Sequence, residues 1–296
     1  MSQSTLSMSR REPAKGYRSP PRLRFSPSKI VLYLLLIALA LVTLFPFYWV
    51  FVLATHAQGD IYRAPPPFWF GNNLVENYET LTGRLPFLRN IWNSFYIAGM
   101  STLFTVITSS LAGFAFAMYQ FRFKRALFSV IITSLMIPPL IGIIPYYLII
   151  QTLGWLNTPR ALWVPGMVSA FGIFLMRQYI ASSVPRDLLD AGRIDGASEF
   201  RLYWNLVLPI VRPGLATLGL LTFIGQWNTF LTPLLVLNQN HTFTVPVALR
   251  TMQGLIQVDW GAVLLGSALA VLPLLVLFAI ASRQVIEGLV AGSLKG

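Results

Sequence analysis

The chain has 296 residues, of which 55% are hydrophobic and only 11% charged, with a formal net charge of +12, two histidines and no cysteine. A soluble domain carries about 25% charged residues, so this composition argues against one. Disulfides, thiolate metal sites and cysteine nucleophiles are excluded outright.

The charges are segregated. No Asp, Glu, Lys or Arg falls between Lys29 and Asp60, Arg89 and Arg122, Arg125 and Arg160, Arg160 and Arg177, Arg212 and Arg250, or Asp259 and Arg283. A bilayer crossing needs roughly 20 mostly apolar residues, so these six gaps predict an all-α integral membrane protein with six transmembrane helices.

Residues 1–29 form a Ser-, Pro- and Arg-rich tail without apolar periodicity, expected to be disordered. The first span, about 30–54, is too long for the apolar core of a cleaved signal peptide and reads as a retained anchor. The loop over about 55–89 contains Pro65-Pro66-Pro67 before Phe68-Trp69-Phe70, an aromatic cluster suited to a membrane interface. It is also a surface large enough to meet another protein. The second span runs over about 90–119 and the third over 126–150. Pro138-Pro139 and Pro145 predict a kinked helix in the third span. The fourth span covers about 161–181, the fifth 213–237 and the sixth 261–282. His56 and His241 fall at the outer ends of spans, as solvated loop residues rather than ligands. With the N-terminus inside, inner segments hold 17 of the 22 basic residues. The positive-inside rule therefore predicts both termini in the cytoplasm. The basic tail then lies against anionic headgroups, and the net charge calls for no nucleic acid.

The segment 182–212 is too patterned for a linker. Pro185 suits the start of a helix, Asp187 and Asp190 favour its dipole, and Leu188, Ala191 and Ile194 recur as one stripe. Asp195-Gly196 predicts a corner, with Asp195 capping a second helix. That helix starts at Ala197, carries Phe200, Tyr203, Trp204 and Val207 at helical spacing, and stops at Leu208-Pro209. Small residues at the tip (Ala191, Gly192, Gly196, Ala197) suit close docking into a protein groove. An amphipathic pair lying on the membrane surface is the competing reading.

The run from Asp190 to Ala197, with Leu208-Pro209 and Pro213 following, resembles the EAA motif of ABC importer permeases. Asp190 stands in place of the motif's leading Glu and Gly192 in place of its second Ala. Leu135 to Tyr147, Gln226 to Phe230 with Pro233-Leu234, and Glu287 to Gly296 are similar to carbohydrate importers of the maltose type, most of all to their second permease subunit. The resemblance implies the type I ABC importer permease fold in residues 30–296. It also implies a second permease as heterodimer partner, a cytoplasmic ATPase dimer, an extracytoplasmic sugar-binding protein and an inner-membrane location. Asp190, Ala191, Gly192, Asp195, Gly196, Ala197, Phe200, Leu208 and Pro209 are then the ATPase-coupling residues, and the Gly-rich C-terminal tail also touches the ATPase.

The sequence has no Gly-x-x-x-x-Gly-Lys-Ser/Thr phosphate loop, so ATP and Mg belong to the partner ATPase and this chain binds no cofactor or metal of its own. It is expected to be a transport subunit and not an enzyme. Thr222, Gln226 and Thr229 share one helix face, as do Asn228 and Thr232. With Trp227 they are the substrate-path candidates: Trp227 to stack on a sugar ring, Gln226 or Asn228 to bind hydroxyls. Packing and hydrogen bonding against the partner permease is the alternative role for them. A permease for a non-sugar solute shares the same loop. An ion-coupled transporter would need an ionisable relay that the spans lack.

Overall fold

The computed structural model describes residues 27–254 and 257–293, with side chains from 28 to 280. The basic tail to residue 26 and the C-terminal segment with its expected ATPase contact lie outside the described side chains.

The described residues fold into helices with no strand among them. Helix α1, Pro27–Leu53, bears Pro46 internally. Contacts divide the chain at this point, residues up to Pro46 forming one unit and Phe47–Gly296 the other. In the second unit α2 (Leu74–Arg84) precedes α3 (Phe87–Met118). Next come α4 (Lys124–Ser134), α5 (Ile143–Thr152) and α6 (Ala170–Ser183). Two helices then form a hairpin, α7 (Arg186–Ile194) and α8 (Glu199–Ile210). The chain continues through α9 (Arg212–Trp227), α10 (Leu231–Val236), α11 (Val245–Gln253) and α12 (Trp260–Ser293).

Four stretches are long and apolar enough to cross a membrane: 28–53, 87–118, 160–183 and 260–280. Counting each bent helix pair as one span raises the number to six. The third expected helix, 126–150, is in fact two, with α4 and the segment 139–152 turned by 92°. Pro138-Pro139 removes two backbone donors in succession, and Pro139 instead starts a short 3-10 turn. The fourth is broken before Ala170, where the Ser169 hydroxyl accepts from the Gly172 amide at 3.0 Å and caps a new start. The fifth ends early: Asn228 donates to the Ile224 carbonyl (2.9 Å) and Thr229 to that of Gly225 (2.8 Å), and α10 follows after the break.

Helix α3 is the hub. It packs on α6, α9 and α11. A Cβ built on Gly113 would lie 2.7 Å from the Met176 Cβ and 2.8 Å from the Arg177 amide nitrogen. Gly172 returns the contact by pressing on Ser109. Helices that lack a hydrophobic drive to associate in lipid rely on such close backbone approach. Toward its first residues α3 uses amides. Asn90 donates to the carbonyls of Asn240 (2.8 Å) and Phe243 (3.0 Å), Asn93 to those of His241 (2.9 Å) and Phe243 (3.1 Å), and Ser94 accepts from the Val245 amide (2.8 Å). These bonds hold the 238–245 loop and the start of α11 against α3. In the loop after α1, Tyr48 donates to the Phe68 carbonyl (2.6 Å) and Trp49 to that of Pro67 (3.1 Å), while Trp69 remains 80% exposed.

Gly113→Ala should lower thermal stability by about 1–3 kcal/mol, since backbone of α6 stands where the methyl must go. Gly219→Ala meets only ordinary contacts at 3.7 Å and should leave the melting temperature of the detergent-solubilised protein unchanged or raised. Equal melting temperatures for the two variants would refute the close approach of α3 and α6.

Candidate functional site

The hairpin begins where Val184-Pro185 ends α6. Pro185 flanks α7 in extended conformation, one residue before the helix. The buried side chain of α7 is Leu189 (2% exposed), while Leu188 and Ile194 face outward, Ile194 at 87% exposure. The expected stripe of Leu188, Ala191 and Ile194 is therefore on the open side. The register is set by the second helix, because Leu202 must sit against α7, and it does so at Gly192. A Cβ on Gly192 would lie 2.5 Å from the Leu202 Cδ2. The glycine that departs from the resembled motif is thus the residue that lets the two helices touch.

The corner is Gly196, at φ +79°, a left-handed conformation that glycine adopts without steric cost. A side chain at this position would meet nothing within 4 Å. Asp195 flanks the end of α7. The cap of α8 is Ser198, whose hydroxyl accepts from the Arg201 amide at 3.4 Å. The expected cap role of Asp195 fails because the Gly196-Ala197 turn carries it out of reach of the new helix. Nor does α8 stop at Leu208-Pro209. It passes through a π-helical stretch, Tyr203–Val207, runs on to Ile210 and turns by 77° into α9.

The aromatic residues divide between the two faces of α8. Tyr203 and Val207 are buried with Leu202 and Leu189, whereas Phe200 (70%) and Trp204 (57%) are exposed. The two outward rings stack at 6.1 Å, inclined by 17°. Ile194, two residues before the corner at Gly196, is exposed as well. Asp190, at 2.8 Å from Arg193, holds the other side of α7 in an ion pair.

Two polar links join the hairpin to α3. Tyr203 and Ser110 share a buried hydrogen bond of 2.7 Å. Tyr119, just beyond α3, donates to Glu199, which also accepts from Arg193 at 2.9 Å. The hydrogen bond from Arg193 holds the Glu199 carboxyl below its usual range, with Tyr119 adding to the effect. Burial first and then Glu199 raise the Tyr119 phenol to about 12, so it stays a proton donor at neutral pH.

A second set of groups lies along α9. Thr222 and Gln226 line a cavity of about 460 Å³ with Thr105, Gly166 and Ser169. Gln226 also lines a neighbouring cavity of about 290 Å³, with Ser94, Tyr146, Thr229, Thr232 and Thr244. The structure thus joins Thr222, Gln226 and Thr229, as their spacing predicts. Asn228 is exposed and lines neither cavity. Trp227 is 3% exposed and stacks on Phe223 at 5.8 Å, beside Ala98. Sequence reasoning missed Ser94, Thr105 and Thr244. The one available signal was the polar Asn93-Ser94 and Ser101-Thr102 pairs interrupting an apolar run. The Thr244 hydroxyl is buried without a hydrogen-bond partner.

Residues 106–287 match the family described as binding-protein-dependent transport system inner membrane component. The chain is 32% identical over 266 residues to the lactose transport system permease protein of Rhizobium radiobacter, covering 90% of this chain and 96% of that one. It is likewise 32% identical over 272 residues to the sn-glycerol-3-phosphate transport system permease protein of Brucella abortus, covering 89% and 96%. A chain of the crystal structure of a bacterial ABC transporter that imports the acidic polysaccharide alginate superposes with a TM-score of 0.76 at 20% identity, over 90% of this chain and 99% of that one. That last likeness is one of fold.

Replacing Glu199 by Gln should loosen the hairpin. The Glu199 pKa is lowered from 4.5, so the link is complete above that value and is lost as pH falls through the lower folded value. Hydrogen-exchange protection of amides 186–202 should therefore drop by up to about fivefold in the variant at pH 7, and the difference should vanish once pH falls below the lowered Glu199 value. Equal protection at pH 7 would contradict the link.

Proposed function

The chain belongs to the family of binding-protein-dependent transport system inner membrane components, and we propose that it conducts a neutral sugar or oligosaccharide through a path lined by Thr222, Gln226 and Thr229. As a permease subunit of an ABC importer it is a transport component, not an enzyme. The observation that carries the substrate class is the chemistry of the two cavities meeting at Gln226. Their walls present hydroxyls and an amide and no charged side chain. A charged solute at membrane depth would need an opposite charge or abundant water, whereas sugar hydroxyls can exchange hydrogen bonds with uncharged hydroxyls and an amide. The sn-glycerol-3-phosphate relative keeps a phosphorylated solute as the second reading, and the uncharged walls weigh against it. Trp227, packed on Phe223, acts as the support behind Gln226, and Asn228 lies off the path.

In this reading the six spans are 27–53, 87–118, 124–152, 160–183, 199–227 with its hairpin limb outside the bilayer, and 260–280, and both termini are cytoplasmic. A second permease completes the path, and an extracytoplasmic binding protein delivers the solute. A cytoplasmic ATPase dimer holds ATP and Mg, leaving this chain without a cofactor. The patch of Ile194, Phe200 and Trp204 around Gly196 is the face that enters the ATPase groove. Asp190, Ala191, Gly192, Asp195, Ala197, Leu208 and Pro209 shape and brace it. Closure of the ATPases pushes the hairpin as a lever, and the Tyr203 and Tyr119 links carry the push to α3.

Gly196→Trp meets open space but sits at positive φ, so it should fold with a loss of about 1–2 kcal/mol, lose transport and leave ATP hydrolysis uncoupled in proteoliposomes containing the complete importer. Gln226→Leu should weaken the apparent affinity for solute by up to about tenfold, the value of one neutral hydrogen bond. Normal transport by Gly196→Trp, or uptake that persists without ATP and collapses with an ion gradient, would overturn the proposal.

A further inference from the structure

Beyond the path and the hairpin, a cavity of about 710 Å³ opens where α3 ends and α4 begins. Its walls include Phe116, Phe121, Lys124, Arg125, Arg177 and Arg186. Four cations thus converge on one space, and no carboxylate lines it. Among the described residues, none of the four is in an ion pair. Lys124 donates to the Tyr119 carbonyl at 2.6 Å. Arg177 lies over the Phe128 ring at 4.2 Å and donates to Gln178 at 2.8 Å. Its Nε is buried without a partner.

The backbone adds to the positive field. Lys124 and Arg125 occupy the first turn of α4, which has no acidic residue and no side-chain cap. Arg186 is the first residue of α7, whose first turn holds one acid, Asp187, outside the cavity wall. Helix starts carry partial positive charge and unpaired amides, so cations there are destabilising. The turn into α4 is held by Phe123 in a left-handed conformation, φ +64°. A single anion would reverse the unfavourable electrostatic terms. Apart from Gln120, the rest of the wall is apolar, supplied by Phe116, Phe121, Phe123, Ala117, Ala126 and Ala181.

We infer that this cavity binds a phosphate-bearing anion, with the headgroup of an anionic phospholipid as the occupant that also satisfies the apolar wall. Phosphate oxygens accept from Arg177, Arg186 and Arg125, and the acyl chains leave along the phenylalanines. Basic pockets between membrane helices are suited to anionic headgroups, each Lys or Arg near the surface being worth roughly fivefold in affinity.

Native mass spectrometry of the full chain would test this, titrating phosphatidylglycerol, phosphatidylcholine and inorganic phosphate separately. Phosphatidylglycerol should be retained preferentially, and Arg125→Gln and Arg186→Gln should each weaken it about fivefold. Gln120→Glu adds a negative charge to the same wall without removing a structural cation, and should also weaken binding. Competition by inorganic phosphate would support the phosphate chemistry and assign it to a soluble source. Equal retention of both lipids, or phosphatidylglycerol binding unchanged in all three variants, would overturn the proposal.

Discussion

The contact on which the rest of the protein depends is the approach of α3 to α6 at Gly113 and Gly172. Backbone of α6 meets Gly113, and only the small Ser109 side chain stands between α3 and Gly172, so the two helices have one register and no room to slide. Polar groups of α3 can then be matched to fixed partners. Asn90, Asn93 and Ser94 hold the 238–245 loop, and Ser110 holds Tyr203. The cavities around Gln226 and the coupling hairpin are therefore referenced to the same helix. A rigid central element of this kind lets a force applied at one place change geometry at another without being absorbed by side-chain rearrangement.

The hairpin shows how that reference is used. Its inner residues, Leu189, Leu202, Tyr203 and Val207, pack into the core that also contains Phe114 and Met176. Its outer residues, Ile194, Phe200 and Trp204, are exposed. The division follows helical spacing: Phe200 and Trp204, four residues apart, share the outer face, while Tyr203 and Val207 share the inner one. The π-helical stretch begins at Tyr203, where the hairpin bonds Ser110 of α3.

Much of this was legible in the sequence, for reasons that also mark the limit. The charge-free gaps locate the apolar helices, because a bilayer penalises charge regardless of tertiary structure. Gly196 is legible as a corner and Thr222-Gln226-Thr229 as a face, since both are local consequences of backbone geometry. The breaks before Ala170 and after Trp227 were not, because they come from side-chain hydrogen bonds of Ser169, Asn228 and Thr229 that compete with helix only in this setting. The hairpin's expected apolar stripe of Leu188, Ala191 and Ile194 lies on the open side, because Leu202, from the other helix, packs where Leu189 is buried. Ser94, Thr105 and Thr244 escaped notice because they reach the cavities from segments far apart in the chain, which local periodicity does not report.

The distribution of charge then connects structure to transport. Arginine and lysine gather around the hairpin end of α3 and α6, where Arg177, Arg186, Lys124 and Arg125 line one cavity, while the cavities along α9 have none. An ionic group placed along α9 would bind a charged solute too tightly to release it, or would stand unpaired at a cost of several kcal/mol when the path empties. Hydroxyls and one amide avoid both outcomes, since a neutral hydrogen bond is worth about 1 kcal/mol net. The unpartnered Thr244 hydroxyl and the position of Gln226 on both cavities suit the proposed route of successive weak sites. Selectivity of that kind fixes a class of solute and leaves its identity to whatever delivers it.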